Sequence, residues 1–236
     1  MHLTRNFLKE KNLLNSKIID LTDSNIRTVD PGTFHGLTNL KMIYLNTNQI
    51  IQLDKYTFHG LTNLDTIFLH SNQIRTIDQN MFQGLRNLQW IYLSYNEITS
   101  IHPGTFYGLN NLERINLSCN KISAIDPYTF DGLKNLKEIN LSCNQISFVD
   151  VKTFITLKNL TMINLDENFF SNHNINELFE KLPKTVSISF DNQKKLFKSF
   201  LSMTDLEITS KKKKELLKIQ KELPPNLKGK FFKILT

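Results

Sequence analysis

The sequence predicts an α/β repeat fold: a right-handed solenoid with a parallel sheet on its concave side and short turns or 3₁₀ segments on its convex side. Three observations predict it: a phenylalanine, two leucines and an asparagine each recur with a period of 24 residues. The first of these series is Phe34, Phe58, Phe82, Phe106, Phe130 and Phe154, and the asparagines are Asn48, Asn72, Asn96, Asn120, Asn144 and Asn168. A fixed period of roughly 20 to 50 residues is typical of solenoids, in which each unit buries its apolar face only against its neighbours.

Residues 40–64 illustrate the concave half of one repeat. Leu40, Ile43 and Leu45 alternate with more polar residues, which predicts a short strand with an apolar inward face. Asn48 follows where the chain must turn out of the strand. Because an amide side chain both donates and accepts hydrogen bonds, we expect Asn48 to bond backbone groups of its own turn and of the adjacent turn. Stacked copies would then form a ladder along the solenoid.

The convex half has its own local pattern. Phe58 is expected to fill the back of the coil, and Gly60 suits a turn with positive φ. Asp126 followed by Pro127 is typical of a short helical turn, since Asp caps such a turn and Pro is tolerated at its first position. About ten residues per repeat are too few for long helices, so turns or 3₁₀ segments are predicted.

The pattern LxxLxLxxNxIxxIxxxxFxGLxx over residues 16–170 resembles the typical 24-residue class of the leucine-rich repeat family. The resemblance implies a curved solenoid that binds its partner on the concave sheet. The outermost repeats depart from the pattern at Ser16, Ser24, Thr156 and Phe170. Terminal repeats are expected to be atypical, because they cap the core.

The two ends are predicted to be capping segments. Residues 1–15 are interpreted as a degenerate N-terminal capping repeat, and residues 171–236 as an irregular last repeat followed by a lysine-rich C-terminal cap. Charged residues 9–11 interrupt the apolar positions of the first segment, so it is not expected to be a signal peptide. No stretch of the chain approaches the length of a transmembrane helix.

The positive charge is concentrated in the last part of the chain. Residues 1–207 hold 20 Lys+Arg and 20 Asp+Glu, whereas residues 208–236 hold nine lysines against Glu215 and Glu222. The run from Lys211 to Lys214 is read either as the solvated face of a capping helix or as a nuclear-import or anionic-surface patch. One alternative function is therefore association with nucleic acid or an anionic surface through this tail.

Two cysteines and three glycosylation triplets bear on the compartment. Secreted members of the resembled family commonly carry cysteine-rich caps, which this chain lacks. Cys119 and Cys143 occupy equivalent places that we expect in adjacent strands, where a disulfide is geometrically possible but free thiols are favoured. Glycans on Asn116 or Asn140 would cover the concave face. An intracellular location is therefore expected, with a secreted adhesion or receptor-like module as the alternative.

The residues between the buried strand positions are expected to line the concave face. In the earlier repeats these are mostly aromatic, and in the later repeats they are mostly polar. Exposed clusters of large apolar side chains mark interaction sites, and Tyr and Trp are enriched among binding hot spots. The competing interpretation is that the aromatic side chains only stabilise the sheet. The candidate partner-binding residues are Tyr44, Phe68, Trp90, Tyr92, Tyr95, Asn116 and Asn140.

No arrangement of residues in the sequence indicates catalysis. The six histidines are scattered, and no zinc-protease helix, CxxC pair, phosphate-binding loop or nucleophile elbow is present. The sequence therefore predicts a non-enzymatic protein-binding module that uses its concave face as a scaffold for a protein partner. Nucleic acid is not the expected partner, and no cofactor or metal is expected.

Overall fold

A computed structural model describes residues 1–190 of the chain. The predicted C-terminal cap extends beyond these residues. The lysine run Lys211–Lys214, with its interpretation as the face of a capping helix or as an anionic-surface patch, lies outside the described part.

Eight short parallel strands form one sheet within residues 1–190. Consecutive strands pair in register, so that Ile43 lies opposite Ile67, and Ile67 lies opposite Ile91. The predicted solenoid with a parallel sheet is confirmed. Each strand is three residues long, shorter than the apolar alternation indicates, because the chain leaves the sheet directly after it. The strands are β2 (Ile18–Asp20), β4 (Met42–Tyr44), β5 (Thr66–Phe68), β6 (Trp90–Tyr92), β7 (Arg114–Asn116), β8 (Glu138–Asn140), β9 (Met162–Asn164) and β10 (Ser187–Ser189).

The recurring apolar residues form one continuous core. The strand isoleucines and the flanking leucines are buried in every repeat. The six phenylalanines of the 24-residue series are at most 1% exposed. Their rings stack along the solenoid with centroid separations between 5.9 and 6.5 Å. Each repeat therefore buries its phenylalanine against the two neighbouring repeats, as the period predicts.

The predicted asparagine ladder is also confirmed. In the central repeat, the side-chain Oδ1 of Asn96 accepts a hydrogen bond from Ile74 N–H of the preceding repeat at 2.9 Å. Its Nδ2 donates to Leu69 O at 2.9 Å and to Leu93 O at 3.0 Å. Asn48, Asn72, Asn120, Asn144 and Asn168 repeat this arrangement. The ladder satisfies buried backbone groups that the turns would otherwise leave without partners.

The convex side consists of turns, and one four-residue helix, α2 (Lys152–Ile155), is its regular element within the described residues. Gly60 has φ +80°, a conformation that favours glycine. A second asparagine ladder crosses the turns before the five strands β5 to β9, which the sequence analysis did not predict. In it, Asn87 Nδ2 donates to Thr62 O of the preceding repeat at 2.9 Å.

Short elements cover both ends of the repeats. At the start, β1 (His2–Leu3) pairs in parallel with β3 (Thr28–Val29), and α1 (Arg5–Glu10) follows it. Leu3 and Leu8 of these elements are fully buried. After the last repeat, α3 (Asn172–Lys181) precedes β10, which pairs in parallel with β9 of the main sheet. The concave sheet is thereby positioned as a rigid surface over seven successive strand pairs.

Candidate functional site

Three aromatic rings stack face to face on the concave sheet. Tyr44, Phe68 and Tyr92 end the paired strands β4, β5 and β6 and lie in register. The ring centroids of Tyr44 and Phe68 are 4.3 Å apart, and those of Phe68 and Tyr92 are 4.8 Å apart, with interplanar angles of 8° and 2°. The spacing follows the separation of about 4.8 Å between neighbouring strands. We call these three side chains the aromatic ladder.

Trp90 and Tyr95 flank the aromatic ladder without joining its stack. Trp90 begins β6 and is half-buried, and its Nε1 is buried without a hydrogen-bond partner among the described residues. Tyr95 lies in the turn after β6 with φ +54° and is 62% exposed. A hydrogen bond with Cys119 and the electrostatic interaction with its side chain raise the pKa of Tyr95. Tyr95 thus interacts with the next repeat rather than with the ladder.

Asn116 and Asn140 end the next two strands, where the aromatic ladder would continue. The Oδ1 of Asn116 accepts hydrogen bonds from Ser118 N–H at 3.0 Å and from Ser118 Oγ–H at 2.8 Å. Asn140 makes the same two bonds with Ser142. Their oxygen atoms are therefore occupied in side-chain-to-backbone turns. Within residues 1–190 their Nδ2 groups have no partner, so both asparagines offer amide donors to the concave face.

A shallow hollow begins where the aromatic ladder stops. Arg114 Nη2 and Glu138 Oε1, which both line it, form an ion pair at 3.1 Å, and their side chains are 50% and 38% exposed. Thr66, which the sequence places on the same outward column, is instead fully buried. The side chains that line the hollow are those of Tyr92, Arg114, Asn116, Glu138, Asn140, Met162 and Asn164.

The two cysteines occupy turns rather than the strands in which the sequence analysis placed them. Cys119 and Cys143 follow β7 and β8 with φ of +53° and +54°. Both are free thiols. Burial raises the pKa of Cys143 to about 11, and the hydrogen bond and electrostatic interaction with Cys119 add to this shift. Cys143 is therefore a protonated thiol at neutral pH.

Other chemistry on the described surface is limited. Among residues 1–190, no three His, Cys, Asp or Glu side chains cluster closely enough to hold a metal ion. None of the helices in this part of the chain has the length and hydrophobicity needed to cross a lipid bilayer. Burial lowers the pKa of His70, whose ring lies 6.2 Å from that of Phe68.

Comparisons with known proteins agree with this architecture. The family model described as "Leucine rich repeat" matches six overlapping segments, residues 15–74, 39–98, 62–118, 88–146, 110–170 and 134–192. A search of curated protein sequences finds no significant match.

Two solved structures are similar to the described fold. A crystal structure of a TLR13–ssRNA13 complex matches with a TM-score of 0.57 and 33% identity, covering 60% of this chain and 21% of the TLR13 chain. The internalin InlF from Listeria monocytogenes strain 4b F2365 matches with a TM-score of 0.58 and 24% identity, covering 77% of this chain and 50% of its own. This chain therefore spans a fifth to a half of the length of these proteins.

Proposed function

The chain belongs to the leucine-rich repeat family, and we propose that it is a non-enzymatic protein-binding module whose partner docks on the concave sheet. The observation that carries this proposal is the aromatic ladder. Tyr44, Phe68 and Tyr92 are only partly buried, although they stand on strands whose inward residues are fully buried. Large aromatic side chains held on a rigid surface bind partners at low entropic cost, which is why Tyr and Trp dominate hot spots.

The charge of the described residues supports a protein partner. Residues 1–190 hold 17 Lys+Arg and 17 Asp+Glu. On and beside the concave face, Arg114 is paired with Glu138, and Lys137 Nζ lies 2.9 Å from Glu113 Oε1. Phosphate backbones are bound by uncompensated cations. A neutral surface with paired charges instead fits a partner that buries apolar and amide groups.

The direct test is affinity capture of cross-linked partners from cell extract, followed by mass spectrometry. A variant with Tyr44, Phe68, Trp90 and Tyr92 changed to alanine should lose the partner that the wild type retains. The matched control changes Tyr107 and Tyr128 to alanine, which are 80% and 65% exposed outside the concave sheet. Circular dichroism must show that both variants are folded. Equal recovery by the wild type and the concave variant would refute the proposal.

The alternative is nucleic-acid association, which the nine lysines of residues 208–236 favour. The similar TLR13 structure is a complex with single-stranded RNA. Binding through phosphates should weaken steeply with added salt, since neutralised phosphates release counterions. The affinity of a partner that docks on the aromatic ladder should change little with added salt. Titration of a fluorescent oligonucleotide at two salt concentrations separates the two functions.

An intracellular location is also proposed. Its support is the pair of free thiols at Cys119 and Cys143, which suits a reducing compartment. In addition, the side chains of Asn116 and Asn140 are held in turns and are only partly exposed. The intact mass of the protein from its native source tests this: glycans on either asparagine would exclude a cytosolic location.

A further inference from the structure

The aromatic ladder ends at Tyr92 with one ring face that no aromatic side chain of residues 1–190 covers. On its other face, Tyr92 stacks on Phe68 at 4.8 Å. The residue paired with Tyr92 on the open side is Asn116. Its side chain is short and is drawn toward the turn by its two hydrogen bonds to Ser118. The stack thus stops at the edge of the hollow instead of closing against a neighbour.

The hollow beside this ring face combines apolar and hydrogen-bonding groups. Tyr92 forms one wall, and Met162 contributes a thioether that packs favourably near aromatic rings. The Oδ1 atoms of Asn116 and Asn140 accept bonds within the turns, and their Nδ2 groups lack partners among the described residues. An acceptor such as a backbone carbonyl would satisfy these donors. Arg114 and Glu138, which also line the hollow, neutralise each other in an ion pair.

We propose that the hollow receives an aromatic side chain of a protein partner, which stacks on Tyr92 as the fourth ring of the aromatic ladder. The adjacent backbone carbonyls of the partner accept hydrogen bonds from Asn116 and Asn140. The inference rests on the proposed function, because it names the group that the concave face recognises. Offset stacking with ring centroids about 4.5 to 7 Å apart is a favourable arrangement for aromatic pairs.

The charge balance favours an amino-acid ring over a nucleobase. A nucleobase would bring phosphates within reach of the hollow, and phosphates require cations that are free to bind them. Arg114 is engaged by Glu138 at 3.1 Å, and Glu138 lines the same hollow. A carboxylate at this place repels phosphate. A neutral Phe, Tyr or Trp side chain has no such conflict.

The test is selection of a displayed library of random peptides on the full-length chain. We expect the selected peptides to share an aromatic residue, whose replacement by alanine weakens binding about tenfold or more, as for a hot-spot residue. Asn116→Tyr fills the hollow with a ring from the chain itself. Tyrosine occupies the equivalent place in β4 and β6, so this variant is expected to fold, and it should lose binding to a similar degree.

Two control variants separate filling of the hollow from other effects. Asp20→Tyr adds a ring at the opposite end of the ladder, beside Tyr44, because Asp20 is the residue paired with Tyr44. It should retain the peptides. Asn116→Ala removes the same hydrogen bonds to Ser118 without filling the hollow. It should keep the preference for aromatic peptides.

Several outcomes would overturn this inference while leaving the proposed function intact. One is a set of selected peptides without a shared aromatic residue; another is unchanged peptide binding by Asn116→Tyr. Oligouridine that binds the wild type and not Asn116→Tyr would identify a base as the occupant instead. A decrease in oligomeric mass of that variant, measured by light scattering, would identify a second copy of this chain. The concave alanine variant tests the proposed function separately, through its own partner.

Discussion

Replacing Asn96 with alanine should destabilise the solenoid at the junction between two repeats. Asn96 is 7% exposed and makes four hydrogen bonds, one through Oδ1 and three through Nδ2. Two of its partners, Leu69 O and Ile74 N–H, belong to the preceding repeat. Because each repeat of a solenoid is stabilised by its neighbours, the lost bonds weaken both repeats.

The magnitude follows from what each partner retains. Leu69 O still accepts from Asn72 Nδ2 at 3.1 Å, and Leu93 O still accepts from Asn120 Nδ2 at 3.0 Å. These carbonyls lose one bond each, at about 1 kcal/mol per bond. Ile74 N–H loses its Asn96 acceptor and is buried, which costs about 1–3 kcal/mol. Ser94 O loses a longer bond of 3.3 Å and still accepts from Ser71 N–H, so it adds little. The free energy of unfolding should therefore fall by about 3–5 kcal/mol.

Asn87→Ala is the matched control for this prediction. Asn87 lies in the same repeat and donates a single exposed hydrogen bond, to Thr62 O. Its replacement should cost about 0.5–1 kcal/mol. Urea unfolding followed by circular dichroism measures both variants, and hydrogen exchange at the Ile74 amide reports the lost bond directly. If Asn96→Ala costs no more than Asn87→Ala, the account of the buried ladder is wrong.

Three further perturbations test the backbone, the core and the thiol pair. Gly108 has φ +81°, whereas Gly32 has no positive φ, and a Cβ added at either position would meet no neighbour. Thermal unfolding should show that Gly108→Ala lowers the free energy of unfolding by about 1 kcal/mol and that Gly32→Ala does not lower it. Phe82→Ala should cost about 3–5 kcal/mol in urea unfolding, since the ring is fully buried; a loss below 1 kcal/mol would contradict the stacked core. Alkylation of Cys143 by iodoacetamide should be slow at neutral pH and accelerate as pH approaches its pKa of about 11, because only the thiolate reacts; fast alkylation at neutral pH would refute the shift.

Much of the fold was predictable because the same contacts recur in every repeat. The period identified Phe82 and the other core phenylalanines, and the amide of Asn96 predicted the buried ladder. The second ladder was missed, although Asn39, Asn63, Asn87, Asn111, Asn135 and Asn159 recur with the same period. The periodic signal was present in the sequence. However, the sequence does not show what the side chain of such an asparagine bonds to; only the structure places the backbone carbonyl of the preceding repeat next to it.

The candidate site was predictable only in part. The aromatic residues were identified, yet stacking is confined to Tyr44, Phe68 and Tyr92, and Tyr95 interacts with Cys119 instead. Asn116 was identified as a binding residue without any indication that its oxygen is held by Ser118. These outcomes depend on side-chain rotation and on the neighbouring repeat, and neither is encoded by the position of a residue within its own repeat.

The sequence by itself determined the repeat length, the recurring inward apolar positions, the parallel register and the asparagine ladder, because all four follow from a local pattern repeated at a constant step. Only the tertiary structure decided which concave side chains stack on one another and that the stack ends at Tyr92. The reason is physical: neighbouring strands lie about 4.8 Å apart, so each surface side chain is shaped by the size and hydrogen bonds of its counterparts one repeat away. The open face of Tyr92 arises from such a difference, between a ring in β6 and a short amide in β7.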